Sequence, residues 1–492
     1  MATQHPDNAS KLTWYSKPVV STLAELKECY LCFSDFDIDE YNWDWEGKFV
    51  DEGVVDRLLH THFNYFGKHP LGKDKFLTFR IPNPRVETQF RLARAFMVMV
   101  TSSQLGGSLG FKNPPIFEAI LPLTETAEEI IDIQEAFRGL VGVEHKLLKM
   151  KDSIQNIEII PLFEQVRTIM NSDEIIIKYL TLHKKKFGFK PEYLRPYCAR
   201  SDPALNSGLV PTMLSVKFAL SSYRKLERKE KIKLFPMLGT GSLPFRGGLA
   251  PDYIDESIDE YNGVATFTLQ SAFRNDYPKS LVKKAISKLK KEMPTKVARV
   301  VNFDKEKIMK LIPLFEMPYQ ESIEKLAPII NTISKQFPKR RERLQHIGLF
   351  GYSRGIGKIK LPRAIPFTGS LYSLGIPPEI IGTGRGLAMA RKMGSINIVL
   401  SLYKNVKKDL ERAGYYLNKE NVMLLAKKMG GWYDILDDIK NIEKELGIEL
   451  GPKTEAHKKH YKLSQRIFNN LSNSKNITRL ISEGGILRKS LG

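Results

Sequence analysis

The sequence predicts an α/β protein built on a (β/α)8 TIM-type barrel, with additional helices and a helical C-terminal region. Three observations predict it. Short apolar runs alternate with longer amphipathic stretches, and eight such runs stand out: Glu40–Trp45, Lys75–Ile81, Ile116–Leu123, Ile157–Phe163, Leu194–Ala199, Lys233–Leu238, Ala265–Gln270 and His346–Tyr352. Most are spaced by roughly 30–40 residues, room for a strand and a crossover helix. Several are apolar without alternation, as parallel strands covered on both faces are.

Taken in order, residues 1–20 are polar and Pro-containing and read as an arm. A helix is expected over 21–36, and the strand–helix alternation then runs to about 375, with extra helices near 279–292 and 305–337 before the last strand. From 376 to 492 the pattern is helical only, a region packed on the barrel or forming an oligomer surface. The expected units are therefore an arm (1–20), a catalytic barrel (21–375) and a helical region (376–492).

Composition narrows the function. The 492 residues are 42% hydrophobic and 27% charged, ordinary for a soluble globular chain. No run of eighteen apolar residues exists, so no membrane span is expected. The start, Met1-Ala-Thr-Gln-His5-Pro, has no basic stretch leading into an apolar one, which points to the cytoplasm. A net charge of +21 suits either nucleic-acid binding or a lysine-rich surface around a site for anionic metabolites. The lysines are spread along helical stretches and no nucleic-acid motif is present, which favours the second reading. Cys29 and Cys32 have CxxC spacing without a second pair, and read as thiols buried on a helix face.

In a barrel, the residues just after each strand line the reactive mouth. The second run ends in Arg80. The fourth ends Pro161-Leu-Phe-Glu164, and a carboxylate directly after apolar residues is costly to bury unless it is paired or metal-bound. The fifth leads to Arg200-Ser-Asp202-Pro203. Glu164 and Asp202, with no rich supply of His or Cys nearby, suit a hard cation such as Mg²⁺ or Mn²⁺. The competing reading has Asp202 capping the next helix and Glu164 pairing with an arginine. The sixth run ends in Gly239-Thr-Gly-Ser-Leu-Pro-Phe-Arg246-Gly247-Gly248, a turn that can offer backbone N–H groups and a guanidinium to an anion. Arg274, Arg354 and Arg363 follow the last two runs. Arginines recurring at strand ends opposite two carboxylates describe a site for a small, multiply charged anion bound with a divalent metal. No GxSxG, HExxH or Walker loop is present. On its own residues, His5 reads as an exposed histidine in the arm.

These strings resemble the archaeal-type phosphoenolpyruvate carboxylases. The resemblance runs from Thr3-Gln-His-Pro-Asp-Asn8 through Trp43-Asp-Trp-Glu-Gly-Lys48, Ala199-Arg-Ser-Asp-Pro-Ala-Leu-Asn206 and Pro377-Pro-Glu-Ile-Ile-Gly-Thr-Gly384 to Ile486-Leu-Arg-Lys-Ser-Leu-Gly492. It implies carboxylation of phosphoenolpyruvate by bicarbonate to oxaloacetate and phosphate, in a homotetramer using Mg²⁺ or Mn²⁺, with neither nucleic acid nor membrane as partner. It also implies that Glu164 and Asp202 are metal ligands. His5, Arg246, Arg354 and Arg363 become catalytic, and Arg80, Gly247, Gly248 and Arg274 bind substrate. It thereby reverses the reading of His5. Two positions depart from the larger family members: their site lysine falls at Leu205, and a loop histidine falls at Pro244. Two other readings of the residues stand beside this one, a metal-dependent barrel lyase for 2-oxo acids and a basic nucleic-acid-binding protein.

Overall fold

The computed structural model describes residues 1–3, 14–17, 19–48, 52–142, 154–300, 303–338, 342–344, 355–356, 359–429, 433–472 and 476–491. At its centre is a curled sheet of parallel strands: β1 (Ala2–Thr3), β2 (Glu40–Asp44), β3 (Phe76–Arg80), β4 (Glu118–Leu121), β5 (Glu158–Phe163), β6 (Tyr197–Cys198), β7 (Met237–Thr240) and β8 (Thr266–Leu269). From β2 to β8 each strand pairs with the next in sequence. The two-residue β1 links the edges, Ala2 opposite both Glu40 and Thr268, and Thr3 opposite both Tyr41 and Leu269.

Seven of the eight expected runs contain a ring strand, and two are broken. Tyr193–Leu194 pairs with Lys233–Leu234 in a separate small sheet, and the ring resumes after Pro196 and Pro236. A proline has no N–H for the ladder, so each interrupts its strand. Its carbonyl still accepts: Met237 N–H donates to Pro196 O at 2.8 Å. The run His346–Tyr352 lies outside the described residues, and the place between β8 and β2 is held by Ala2–Thr3. The arm thus begins as a strand, which two residues are too short to reveal by periodicity.

Alternation divides each strand. Tyr41, Trp43, Leu77, Phe79, Ala119, Leu121, Ile159 and Phe163 pack outward in the main core beneath the helices. Ala2, Ile120, Ile160, Leu162, Tyr197 and Met237 form a second, small core. Their neighbours on the inner face are polar at both ends of the strands, Glu40 and Glu118 at the starts and Asp44 and Arg80 at the ends.

At the mouth formed by the strand starts, Arg195 is clamped between two buried acids. Its guanidinium bonds Glu40 Oε2 at 2.5 Å and a carboxylate oxygen of Glu118, while Thr78 Oγ1 donates to Glu40 at 2.7 Å and Tyr193 O–H to Glu118 at 2.8 Å. Burial pushes the Glu118 carboxyl up and Arg195 draws it back. Replacing Arg195 with Met strands two buried carboxylates and is expected to lower stability by about 3–5 kcal/mol. Urea unfolding reads this directly, and a loss under about 1 kcal/mol would show that the clamp does not hold the ring.

The remaining chain is helical. A 30-residue helix, Lys305–Ser334, packs against Leu209–Glu230 and Thr383–Lys392. From Ala364 to Arg488 the described segments are helices and their connections. No helix among the described residues is long and apolar enough to cross a membrane.

Candidate active site

The ends of the parallel strands share one mouth, and there the sequence places its acids and arginines. Glu164 follows β5 directly. It is buried, and its Oε2 accepts the Leu123 N–H at 2.8 Å. Leu123 presents that N–H from a left-handed backbone conformation (φ 54°), unusual for a leucine. Burial raises the Glu164 carboxyl to about 8, Asp202 and Glu46 push it the same way, and the Leu123 N–H and Arg80 oppose them. Asp202 lies in the first turn of helix Ser201–Ser207, whose N-cap position is Arg200. Asp202 is therefore not the cap of that helix, and its charge acts on Glu164. Among the described residues no group of three or more His, Cys, Asp or Glu side chains could hold a metal ion.

Arg80 ends β3 and meets two acids the sequence reading did not single out. Its Nε lies 2.8 Å from Asp44 Oδ1 and 3.0 Å from Glu46 Oε2. The contact has a backbone cause, since the N–H groups of Trp45 and Glu46 both donate to Arg80 O, at 3.0 and 2.9 Å. Alternation was the available signal. Trp43 and Trp45 pack outward into the core, so Asp44 between them faces in.

The loop after β7 is buried from Gly241 to Ala250. Arg246 ends a short 3₁₀ turn, Pro244–Arg246. Its Nε donates to Ser201 Oγ at 3.2 Å and its terminal nitrogen to Gln270 Oε1. This anchors the guanidinium beside the residue preceding Asp202. The loop differs from the expected cradle of free N–H groups. Gly247 N–H donates to Pro244 O at 3.0 Å, Gly248 N–H to Leu243 O at 2.9 Å, and Gly241 N–H to Arg246 O at 2.7 Å. Gly247 (φ 120°) and Gly248 (φ 74°) shape the turn, in conformations that a side chain would strain.

The loop is held from behind by residues far away in sequence. Arg412 donates to Ser242 O at 2.8 Å and to Gly248 O at 2.9 Å, and Tyr261 O–H to Gly247 O at 2.8 Å. Glu379, fully buried, accepts from Phe245 N–H and Tyr372 O–H, both at 2.9 Å. Ser242 O–H donates to Lys489 O at 3.2 Å. Burial raises the Glu379 carboxyl to about 7. The folded state then keeps a proton that the unfolded chain releases near 4.5, so this group's contribution to stability is full below about 4.5 and is lost as pH rises through about 7. Glu379→Gln keeps an acceptor and removes the titration. Its melting temperature is expected to fall less than the wild type's between pH 5 and 8, and parallel curves would contradict this.

The other predicted residues are placed as follows. Arg274, after β8, is buried, with its terminal nitrogen 3.3 Å from Glu28 Oε1 and 2.9 Å from Cys32 Sγ on helix Thr22–Phe36. Cys29 and Cys32 are buried thiols, and burial raises Cys32 to about 12. Arg363 stands half-buried at the N-cap of helix Ala364–Ser373. His5 and Arg354 lie outside the described residues. Leu205, where a lysine was expected, is buried, and its carbonyl accepts from Tyr319 O–H at 2.8 Å. Pro244 opens the 3₁₀ turn.

Comparison with known proteins adds the following. A family profile described as phosphoenolpyruvate carboxylase matches residues 1–492. A phosphoenolpyruvate carboxylase of Leuconostoc mesenteroides is 38% identical over 100% of this chain and 98% of its own. One from Metallosphaera sedula is 38% identical over 100% and 99%. One from Pyrococcus abyssi is 37% identical over 92% and 95%.

Proposed function

The chain belongs to the phosphoenolpyruvate carboxylase family, and on that premise we propose how its own residues carry the reaction. The enzyme is a carbon–carbon lyase that fixes carbon dioxide, joining phosphoenolpyruvate and bicarbonate into oxaloacetate and phosphate. Bicarbonate oxygen attacks phosphorus, and the bond from phosphorus to the enol oxygen breaks. Carboxyphosphate and the enolate of pyruvate result. Carboxyphosphate divides into carbon dioxide and phosphate, which keeps the bicarbonate proton, and the enolate carbon attacks carbon dioxide.

One observation carries the assignment of roles. Arg246 is docked on Ser201, the neighbour of Asp202, so the phosphate side and the acidic side of the mouth are built on the same turn. Arg246, supported by Arg354 and Arg363, balances the charge of the phosphoryl group as it moves. Arg80 binds the substrate carboxylate, oriented by Asp44 and Glu46. Gly247 and Gly248 fix the turn that carries Arg246 to the substrate, and Arg274 fixes helix Thr22–Phe36 beside it. His5 holds the proton in transit from bicarbonate to phosphate. The buried surroundings of the loop keep water from the enolate.

Glu164 and Asp202 suit a divalent cation. They are neighbouring carboxylates, one buried and raised by the other, and a bound cation relieves that repulsion. They would hold Mg²⁺ or Mn²⁺, which supplies Lewis acidity toward the enolate oxygen. We read the ring as a (β/α)8 barrel of TIM type, supported by eight parallel strands whose ends share one mouth. The family resemblance extends the proposal to a homotetramer in the cytoplasm, supplying four-carbon acids to the tricarboxylic acid cycle. Its parts would be a site-completing arm (1–20), the barrel (21–375) and a helical region (376–492) that props the loop.

The test is oxaloacetate formation, coupled to malate dehydrogenase, from phosphoenolpyruvate, bicarbonate and Mg²⁺. Wild type is expected to turn over only with all three present, and His5→Asn to lose turnover. Wild-type inactivity would sink the reading, whereas an active His5→Asn variant would remove only the role of His5.

A further inference from the structure

Arg200 is among the largest fully buried side chains of the molecule, 1% exposed. Arg412 and Arg488, also buried, bond carbonyl oxygens and His460, whereas the buried Arg274 and the half-buried Arg195 and Arg385 each pair with a buried carboxylate, Glu28, Glu118 and Asp438 respectively. Arg200 pairs with none among the described residues. One terminal nitrogen donates a long hydrogen bond to Pro244 O at 3.5 Å, the Tyr261 hydroxyl interacts with the same side chain, and its Nε and other terminal nitrogen have no hydrogen-bond partner there. An unpaired buried cation is costly, and a fold that keeps one either answers it with an anion from outside or gains elsewhere.

Its position names the use. Arg200 is the N-cap residue of the helix that carries Asp202, and it reaches beneath the loop that carries Arg246. It lies beside the Tyr261 hydroxyl that holds Gly247, and its field reaches Tyr403 and Asp409 on the helices behind. Arg412 lies under the same loop. The loop thus rests on two guanidinium groups. One is fully spent on carbonyls, and the other has donors to spare.

We infer that Arg200 is a positioning residue for the phosphate of phosphoenolpyruvate: a buried positive charge that acts through the Pro244–Gly248 loop. Its gain is collected when a multiply charged phosphate binds against the loop, where a fixed charge in a poorly screened interior counts for more than one in water. The inference rests on Arg246 marking the phosphate side.

The test uses the full chain carrying Arg200→Met, which keeps much of the volume, and Arg200→Lys, which keeps the charge. Dissociation constants for inorganic phosphate and for phosphoenolpyruvate are measured by calorimetry, beside KM for each substrate and the melting temperature. In Arg200→Met both dissociation constants are expected to rise about tenfold or more, with KM for bicarbonate within about twofold of wild type. The melting temperature holds or rises, because an unpaired buried charge has gone. Arg200→Lys recovers most of the affinity. A merely structural arginine would lower the melting temperature and leave phosphate affinity alone, and either unchanged phosphate affinity in Arg200→Met or no recovery in Arg200→Lys overturns the proposal. Should the wild type form no oxaloacetate, the carboxylase reading fails while the phosphate measurement still decides on Arg200.

Discussion

Glu164→Gln lowers kcat/KM for phosphoenolpyruvate by about a thousandfold or more while the fold survives. The two halves of this expectation have one cause. Glu164 is buried next to Asp202 and Glu46, and its carboxyl is raised to about 8. A carboxyl raised that far is largely protonated at neutral pH without metal, so a glutamine matches its charge while its oxygen still accepts the Leu123 N–H. The melting temperature without metal is therefore expected to hold or rise. On the proposed roles activity is expected to fall, because a neutral amide is a poor ligand for a hard cation and would leave Asp202 to bind it alone. Steady-state kinetics across a Mg²⁺ titration, with thermal melts of the same samples, check both halves. Activity within tenfold of wild type would remove Glu164 from the metal site. A collapse of the fold would mean the acid is structural.

Arg246→Lys is the second large effect. It is expected to cost about 10²–10³-fold in kcat, with a smaller change in KM, because the charge it balances grows as the phosphoryl group moves. Arg246 uses one edge of its fork on Ser201 and another on Gln270. A lysine ammonium is a point charge and cannot hold both while facing a phosphate. The loop behind it is fixed independently by Arg412, Tyr261 and Glu379, so the melting temperature is expected to change little. A variant that retains kcat but loses KM would make Arg246 a ground-state contact.

Most of the ring was legible as apolar runs, because strands covered on both faces leave that mark in a sequence. What stayed hidden has identifiable causes. Pro196 and Pro236 split two runs, and propensity alone could not say that the ring would resume beyond them. Ala2–Thr3 is too short for any period to show. Asp44 and Glu46 were present in a quoted string, but their inward direction follows only from Trp43 and Trp45 facing out. The loop was identified by its glycines, yet which N–H groups it keeps for itself depends on the fold of the turn. Arg412, Glu379 and Lys489 reach it from more than 130 residues away, a distance no local pattern bridges.

The linking strand Ala2–Thr3 also sets an order of events. It contacts one edge about 40 residues on and the other about 265 residues on, so on a ribosome it must wait for Thr268 and Leu269 to emerge before it can close the ring. Until then the edges of β2 and β8 are open, each a template for another strand. Closing the ring is thus a late, non-local step. The pairing of Ala2–Thr3 with Thr268–Leu269 spans all seven other strands, so the sheet closes only after they have been made. A chain released before residue 269 has neither a closed ring nor a finished site.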